Sequence, residues 1–330
     1  MNKPELLCPA GDLERLQMAL HFGADAVYLA GAQFGMRAGA ENFTPDGIRA
    51  AVQLAHAQGA AMHVTCNTLP RDDEMMQLPA YLELLDDAGV DAIIAADLGV
   101  ITLAKRYAPH VALHVSTQFG VVNSATATAL HDLGAQRVVL ARELSLEQIR
   151  FISQHASIET EVFVHGALCF CYSGQCYMSA LIGRRSGNRG ACAQPCRMQY
   201  SMGGRMDEYP LSLRDNCLAD YLQQLADAGV ACVKIEGRMK RPEYVAVVTD
   251  VYARCIHEHR VPTPEENDRL ALAFSRQGFT QGYLLGKKGP DMLGTRVAEP
   301  DREAEKMFTA ARKAYADGER RRVPVKFYAK

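Results

Sequence analysis

The chain has 330 residues, of which 48% are hydrophobic and 22% charged, and its formal net charge is −2. This length suits one large α/β barrel or two domains. The near-neutral charge excludes a strong, general nucleic-acid binder, so any RNA contact must come from a local patch. No apolar run approaches the ~20 residues of a membrane span, and the N-terminus has no apolar stretch typical of a secretory signal. We therefore expect a cytoplasmic protein without membrane association, in which clustered cysteines favour metal or redox chemistry over disulfides.

One unit recurs along the chain: a helix end, a glycine and a short apolar strand, as in HFGADAVYLAG and DAGVDAIIAAD. Helices separate the strands, which predicts a parallel sheet. Eight strands are predicted, starting near Leu6, Ala26, Met62, Ala92, Leu113, Val138, Val162 and Val233. Because eight strands close a (β/α)8 barrel, we predict an α/β, TIM-like barrel over residues 1–260. An open doubly wound sheet is the alternative.

In four of these strands, one face carries most of the polar groups and the other face is apolar. The faces that carry most of the polar groups are His63, Thr65 and Asn67; His114, Ser116 and Gln118; Glu161, Phe163 and His165; and Lys234 and Glu236. We expect the apolar faces to pack under the helices and the polar faces to line the barrel. Buried polar groups are costly unless they bond each other or a ligand.

The longest departure from this rhythm lies between the seventh and eighth strands, at residues 166–217. Its thiols form a C-x6-C-x15-C-x3-C pattern at Cys169, Cys176, Cys192 and Cys196, with Cys171 as an extra. Glycines break any long helix here, so the thiols lie on turns that can converge. The segment leaves the carboxyl end of a barrel strand, where active sites of this fold lie. The residues alone fit an iron–sulfur cluster and a zinc site equally.

Residues 261–330 are predicted to form a helical extension after the barrel. A helix over about 242–259 ends the barrel, and the extension then has a polar turn (PTPEEND), a glycine-rich stretch and a charged helix. The final RRRVPVKFYAK has the pattern of a strand that begins a further domain. We therefore expect the chain to be the N-terminal part of a longer protein.

Two ionisable residues near strand ends are candidates for catalysis. His165 ends the seventh strand, where it either transfers protons or hydrogen-bonds a neighbouring strand. Glu236 lies beside Lys234, either as a functional carboxylate or as half of a buried ion pair.

Other strand ends carry candidates for binding a substrate. Arg238 can clamp a carboxylate through two hydrogen bonds. Asn67, Gln118, Arg142 and Glu143 end strands three, five and six, and together they suggest a polar cup for an organic acid. Arg37, in the glycine-rich loop after the second strand, is a weaker candidate for binding a carboxylate or phosphate.

The chain resembles the collagenase-like peptidases of family U32 in ELLCPAG, YLAGAQFGMRA, EVFVHGALCFCYSGQCYMSA, GNRGACAQPCR and CVKIEGRMKRPEYV. The family includes oxygen-independent hydroxylases of the ubiquinone ring, and others that act on a pyrimidine of transfer or ribosomal RNA. The RNA branch is the most similar, through GALC-x-x-YSG-x-C. The resemblance implies prephenate as a co-substrate and a [4Fe–4S] cluster. Its implied ligands are Cys169, Cys176, Cys192 and Cys196, with Cys217 as an alternative fourth.

The RNA expectation draws attention to arginines among these thiols. They are Arg184, Arg185, Arg189 and Arg197, and tyrosines at 172, 177 and 200 lie between or beside them. Arginines suit phosphate contacts, and tyrosines suit the stacking of an unpaired base. A base must leave its helix to reach a buried centre.

Two other functions stay open. A collagenase-like peptidase needs a nucleophile or a catalytic metal, but the sequence has no G-x-S-x-G or H-E-x-x-H motif. Cys171 and His165 are the only thiol–imidazole pair close in sequence within this segment. A binding module with zinc as a structural staple is the third possibility.

Overall fold

The computed structural model describes residues 3–36, 41–295 and 302–318. Eight parallel strands form the barrel: β1 (Glu5–Pro9), β2 (Ala26–Leu29), β3 (Ala61–Cys66), β4 (Ala92–Ala95), β5 (Ala112–Val115), β6 (Arg137–Val139), β7 (Glu159–Gly166) and β11 (Cys232–Ile235). Each strand pairs with the next, and β11 pairs with both β7 and β1. The sheet is therefore closed, which confirms the predicted (β/α)8 barrel and overturns the open doubly wound alternative.

Helices alternate with these strands and cover the outside of the barrel. They are α1 (Leu13–His21), α2 (Pro45–His56), α3 (Asp72–Met75), α4 (Leu78–Asp87), α5 (Leu98–Tyr107), α6 (Ser124–Asp132), α7 (Leu146–His155), α8 (Met178–Gly183), α9 (Leu222–Asp227), α10 (Pro242–Glu258), α11 (Pro264–Ala273) and α12 (Arg302–Ala316). Apolar side chains on the outward face of the strands, such as Val27, Leu29 and Val64, join those of the helices in one continuous core.

The recurring helix–glycine–strand unit has a conformational reason. Gly89, Gly134 and Gly229 follow α4, α6 and α9 with φ angles of +72°, +94° and +92°. These angles lie in the left-handed region that favours glycine, and a residue of this kind ends a helix and redirects the chain. The strand begins two or three residues later, which explains why the sequence located the strand starts.

Charged side chains in the barrel interior form ion pairs with each other. Arg137 donates to Glu5 at 2.7 Å and to Glu159 at 2.9 Å. The Lys234 ammonium donates to Glu161 at 2.8 Å. Lys234 is 3% exposed and Glu161 fully buried, so this pair lies out of water. The predicted polar lining is therefore present, and ion pairs balance much of its charge.

The predicted alternation is wrong for one residue, His165. Val162 and Phe163 pair in register with Val233 and Lys234, but the register shifts before His165 pairs with Ile235. Such a bulge reverses which side of the strand the following side chains occupy. The His165 ring consequently lies against Tyr252 of α10, outside the barrel, with ring centroids 5.5 Å apart.

The segment between β7 and β11 adds α8 and three short strands, β8 (Tyr200–Met202), β9 (Arg205–Glu208) and β10 (Asp215–Cys217). β8 and β9 pair with each other, whereas β10 runs antiparallel to β7. This is the predicted insertion, and it is confirmed in its place between the seventh and eighth barrel strands.

After α10, the chain forms the predicted charged helix, α12, and also α11, and α10 packs against both. The prediction of a turn over PTPEEND is wrong, because Thr263 and Glu266 form a capping box that starts α11 there. A short strand, β12 (Phe279–Thr280), pairs with β10. This part of the chain therefore packs on the barrel and its insertion. The strand predicted in RRRVPVKFYAK lies outside the described residues. Within those residues, every helix is too short or too polar to cross a membrane.

Candidate functional site

A cavity of about 600 Å³ opens at the carboxyl ends of the barrel strands, beneath the cysteine-rich insertion. Its floor is apolar and aromatic, with Tyr28, Ile94, Val139 and Phe163 from four different strands. Strand ends of a barrel supply side chains that converge on one volume, which is where this fold places its active sites. The cavity is therefore the candidate site.

Two cations border this aromatic floor. The guanidinium carbon of Arg142 lies 3.9 Å from the centre of the Phe163 ring. The Lys234 nitrogen lies 4.4 Å from the centre of the Tyr28 ring. Cations over ring faces are attracted by the negative face of the ring, more strongly where water is excluded. The floor thus combines flat apolar surface with positive charge.

Polar groups from β3 and β5 form one wall of the cavity. The Asn67 amide donates to the Ser116 hydroxyl at 3.2 Å, and Ser116 accepts from the backbone N–H of Gln118 at 3.2 Å. The hydroxyl of Thr65 is buried and has no hydrogen-bond partner within the described part of the chain. A buried, unsatisfied hydroxyl is costly, and a ligand that bonds it removes this cost.

Two of the predicted substrate-binding residues, Arg142 and Arg238, line the cavity together with Glu236. Arg142 donates to the Glu236 carboxylate at 3.0 Å and to the carbonyl of Ala167 at 3.4 Å. Arg238 is buried and lines the same cavity. A close backbone approach holds Glu236 in place, since a Cβ on Gly166 would lie 2.9 Å from the Glu236 Cβ and its carbonyl oxygen.

Four predicted binding or catalytic residues therefore converge with Glu236 around one cavity: Asn67, Gln118, Arg142 and Arg238. Arg37 lies outside the described residues. Tyr28, Thr65, Ser116 and Phe163 also line the cavity but had no predicted role. The inward alternation of their strands was the available signal for three of them.

Five of the six thiols of the insertion line the cavity: Cys169, Cys171, Cys176, Cys192 and Cys196. Burial raises the pKa of Cys196, and Arg197 counteracts this, while the neighbouring thiols of Cys169, Cys192 and Cys176 raise it further. Cys196 therefore senses the other three predicted ligands electrostatically. In the ranges 3–36, 41–295 and 302–318, however, no three Cys, His, Asp or Glu side chains approach closely enough to hold a single metal ion.

The extra thiol, Cys171, is placed differently from its neighbours. It donates to the carbonyl of Gln175 at 3.5 Å. Its pKa is raised by burial first and then by the nearby Cys176 thiol. Cys171 thus lies close to the Cys176 thiol, and it also donates to a backbone carbonyl within its own turn.

The structure places Cys217 and His165 away from the cavity. Cys217 is buried on β10, 3.7 Å from the Tyr252 hydroxyl, and burial raises its pKa to about 11. The His165 Nδ1 lies 3.3 Å from the same hydroxyl, and burial lowers the pKa of His165 to about 3. Neither group lines the cavity. This position agrees with the predicted alternative, in which His165 makes a structural hydrogen bond. The partner, however, is Tyr252 of helix α10 and not a residue of a neighbouring strand.

The insertion is fastened to the barrel by specific polar contacts. Glu143, at the end of the sixth unit, accepts from both the N–H and the hydroxyl of Ser173, at 2.8 and 2.9 Å. Within the insertion itself, Arg197 donates to the carbonyls of Leu168 and Leu213, each at 2.5 Å. These contacts position the loop that carries the thiols, and they give Glu143 a role other than the predicted polar cup.

The four predicted RNA-binding arginines fall into two pairs. Arg197 is engaged with backbone carbonyls, and Arg189 forms a two-point ion pair with Glu74 at 2.5 and 3.0 Å. Arg184 and Arg185 are exposed, although Arg185 also donates to the carbonyl of Ala191 at 3.1 Å. Only the exposed pair is well placed for a polyanion, whereas Arg189 bridges the insertion to the segment after β3.

Comparison with known proteins gives a consistent picture. A family model described as Peptidase family U32 matches residues 11–293. The chain is 40% identical over 267 residues to tRNA hydroxylation protein P1 of Bacillus subtilis (strain 168), covering 77% of this chain and 63% of that protein. It is 41% identical over 290 residues to a 23S rRNA 5-hydroxycytidine synthase of Escherichia coli (strain K12), covering 86% and 43%.

A relative with a different name is also similar. The protein named Collagenase from Porphyromonas gingivalis (strain ATCC BAA-308 / W83) is 34% identical over 314 residues, covering 87% of this chain and 75% of that protein. The chain spans about 63% and 43% of the lengths of the two hydroxylation proteins.

Proposed function

Since the chain belongs to peptidase family U32, we propose that it acts in the oxygen-independent hydroxylation of a pyrimidine base in transfer or ribosomal RNA. The names of two similar relatives support an enzyme acting on RNA. One structural observation carries the proposal: five thiols of an arginine-bearing insertion line a cavity at the mouth of the barrel. A centre built there lies at the usual place for chemistry in this fold.

In this proposal, Cys169, Cys176, Cys192 and Cys196 hold a [4Fe–4S] cluster. Such a cluster takes four cysteine thiolates and tolerates varied spacing. The position of all four thiols on the lining of one cavity supports this assignment. The buried position of Cys217 supports Cys196 as the fourth ligand. When bound, the cluster supplies one-electron chemistry.

A small organic acid, prephenate, is proposed to occupy the floor of the cavity. Arg142 and Arg238 provide the positive charge for its carboxylates, and Asn67 and Gln118 provide amide groups on the facing wall. Glu236 already accepts a hydrogen bond from Arg142. An incoming carboxylate competes for that guanidinium, which leaves the Glu236 carboxylate to accept a proton from the substrate.

RNA is proposed to approach over the exposed face of the insertion. Arg184 and Arg185 are exposed there, and Tyr172 and Tyr177 are exposed while they also line the cavity. Exposed aromatic rings next to arginines suit an unpaired base and its phosphates. The target base must leave its stack to reach the thiols.

The peptidase alternative rests on names alone: that of the family, and those of relatives named Collagenase and Uncharacterized protease. It would use Cys171 with His165, but Cys171 lines the cavity while His165 faces Tyr252 across the strand. The structure does not bring this thiol and imidazole together. A zinc-stapled binding module and a ubiquinone-type ring hydroxylase are alternatives that the experiments below separate.

Nucleoside analysis tests the proposal. RNA from a strain lacking the gene is digested and compared by mass spectrometry with RNA from strains complemented by wild type, Cys176→Ala or Cys171→Ala. We expect a hydroxylated pyrimidine to disappear on deletion, to return with wild type and Cys171→Ala, and to stay absent with Cys176→Ala. Unchanged nucleosides on deletion, together with cleavage of gelatin by the purified protein, would contradict the proposal.

A further inference from the structure

Two large apolar side chains project from the insertion. Leu181 and Ile182 are 84% and 66% exposed, at the end of helix α8. Arg184 and Arg185 follow after Gly183, and Arg184 ends the helix with a φ of +54°. Adjacent exposed apolar residues are unfavourable in water, and they indicate contact with something outside the chain.

Helix α8 is held in a fixed position beside the cavity. Ser179, on its other side, is buried and accepts from the N–H of Ala193 at 2.9 Å. Its hydroxyl lies 3.8 Å from the Cys192 sulfur. The residue that precedes the helix, Tyr177, lines the cavity. The buried side of α8 is thus bonded to the thiol wall, while Leu181 and Ile182 point away from it.

The surrounding charge favours one kind of partner. Between Glu161 and Asp207, the sequence contains five arginines and no acidic residue, in a chain whose net charge is −2. Such a segment attracts a polyanion. Phe170, Tyr172 and Tyr177 are exposed and line the cavity, and flat rings of this kind stack with bases. Together, these features favour RNA over an anionic lipid surface.

We propose that Leu181 and Ile182 form a wedge that enters the stack of the RNA and displaces the target base toward the cavity. The inference rests on the proposed function and deepens it. Extruding a base from its stack costs free energy, and apolar side chains inserted between base steps are a known way of stabilising the opened form. The two arginines hold the neighbouring phosphates while the wedge is inserted.

Fluorescence of an RNA hairpin separates binding from base displacement. The probe is a hairpin with 2-aminopurine in its stem, whose emission rises when that base unstacks. The full chain is titrated as wild type, as Leu181→Ser/Ile182→Ser, as Arg184→Gln/Arg185→Gln, and as Phe151→Ser. Phe151 is the control, since it is 54% exposed on α7, outside the insertion.

We expect wild type and Phe151→Ser to bind the hairpin and raise its emission. The wedge variant should lose the rise while its Kd changes by less than about threefold, because phosphate contacts dominate the affinity. The arginine variant should bind more weakly, with a salt slope reduced by about two.

The failures are distinguishable. A full rise with the wedge variant would overturn the wedge while leaving RNA binding intact. Loss of self-association, or of binding to phosphatidylserine vesicles, in the wedge variant with RNA behaviour unchanged would also overturn it, because these residues would then serve another partner. No binding of RNA by wild type at low salt would instead count against the proposed function.

Discussion

The barrel and its insertion differ in how their polar and reactive groups are paired. Inside the barrel, Arg137 bonds two glutamates and Lys234 bonds Glu161, so buried charges face each other. In the insertion, five thiols face a cavity, and the side chains of Leu181 and Ile182 face solvent. The charged groups of the barrel are paired within the chain, whereas the insertion carries thiols and apolar side chains that face a cavity or solvent. The difference indicates that the functional groups lie mainly where side chains are not fully paired by other groups of the chain.

The largest expected effect concerns the thiols themselves. Replacing any one of Cys169, Cys176, Cys192 and Cys196 with alanine should reduce iron from about four per chain to nearly none, because an incompletely ligated cluster is lost. Replacing Cys171 or Cys217 should leave iron bound. Iron and sulfide assays on protein purified without oxygen make this measurement. Loss of iron in Cys217→Ala but not in Cys196→Ala would reverse the assignment of the fourth ligand.

Next in size is a break in the barrel interior. Lys234→Met leaves the buried Glu161 carboxylate without its nearest partner, 2.8 Å away. We expect the free energy of unfolding to fall by about 3–5 kcal/mol, as is usual when one member of a buried pair is removed. Urea denaturation measures this, with the exposed Lys313→Met as control. Equal stability of the two variants would show that the pair is not needed to support the barrel.

Acid should also weaken the barrel through its buried histidines. His63 lies 4.9 Å from His114 between ring centroids, and burial, with help from Arg137 and Lys234, lowers the pKa of His63 from 6.5 to about 3. The folded state keeps His63 neutral, while the unfolded state takes up a proton below pH 6.5. Stability should therefore fall as the pH drops from 6.5 toward 3, by about 1.4 kcal/mol per pH unit for each such histidine.

Urea denaturation at a series of pH values checks this slope. His63→Gln removes one titrating group and should make the dependence shallower than in wild type. Identical slopes for wild type and His63→Gln would contradict the account of the barrel interior.

The smallest effect is a local loosening of the insertion. Glu143→Ala removes both acceptors of Ser173, and a buried N–H left without a partner costs about 1–3 kcal/mol. We expect amide hydrogen exchange near Ser173 to speed up by about tenfold or more, while amides of β4 stay protected. Glu147→Ala, an exposed change on α7, serves as the control. Uniformly faster exchange would mean that the two regions unfold together.

The fold followed from the sequence because its signals are local. Five of the eight barrel strands are preceded by a helix end and a glycine, and Ala92 and Cys232 lie within a residue or two of where the pattern placed them. The thiols could be assigned to one site for the same reason, since a single segment carries them all. Local spacing was therefore enough to predict the barrel and to predict which thiols share a site.

What the sequence did not reveal depends on distant contacts. The bulge that turns His165 outward appears only in its pairing with Ile235. Arg189 bonds Glu74, 115 residues away, so its engagement is invisible in a run of neighbouring arginines. Glu143 contacts Ser173 across 30 residues. Residue type indicated that these groups matter, but only the folded chain separates those that hold the insertion from those that face the cavity.

The most direct test of the account is the optical spectrum of protein purified without oxygen, with iron, sulfide and zinc measured on the same sample. We predict a broad visible absorption that bleaches on reduction, with about four irons and four sulfides per chain. A colourless protein with one zinc per chain would contradict the central claim that the insertion holds an iron–sulfur cluster above the cavity.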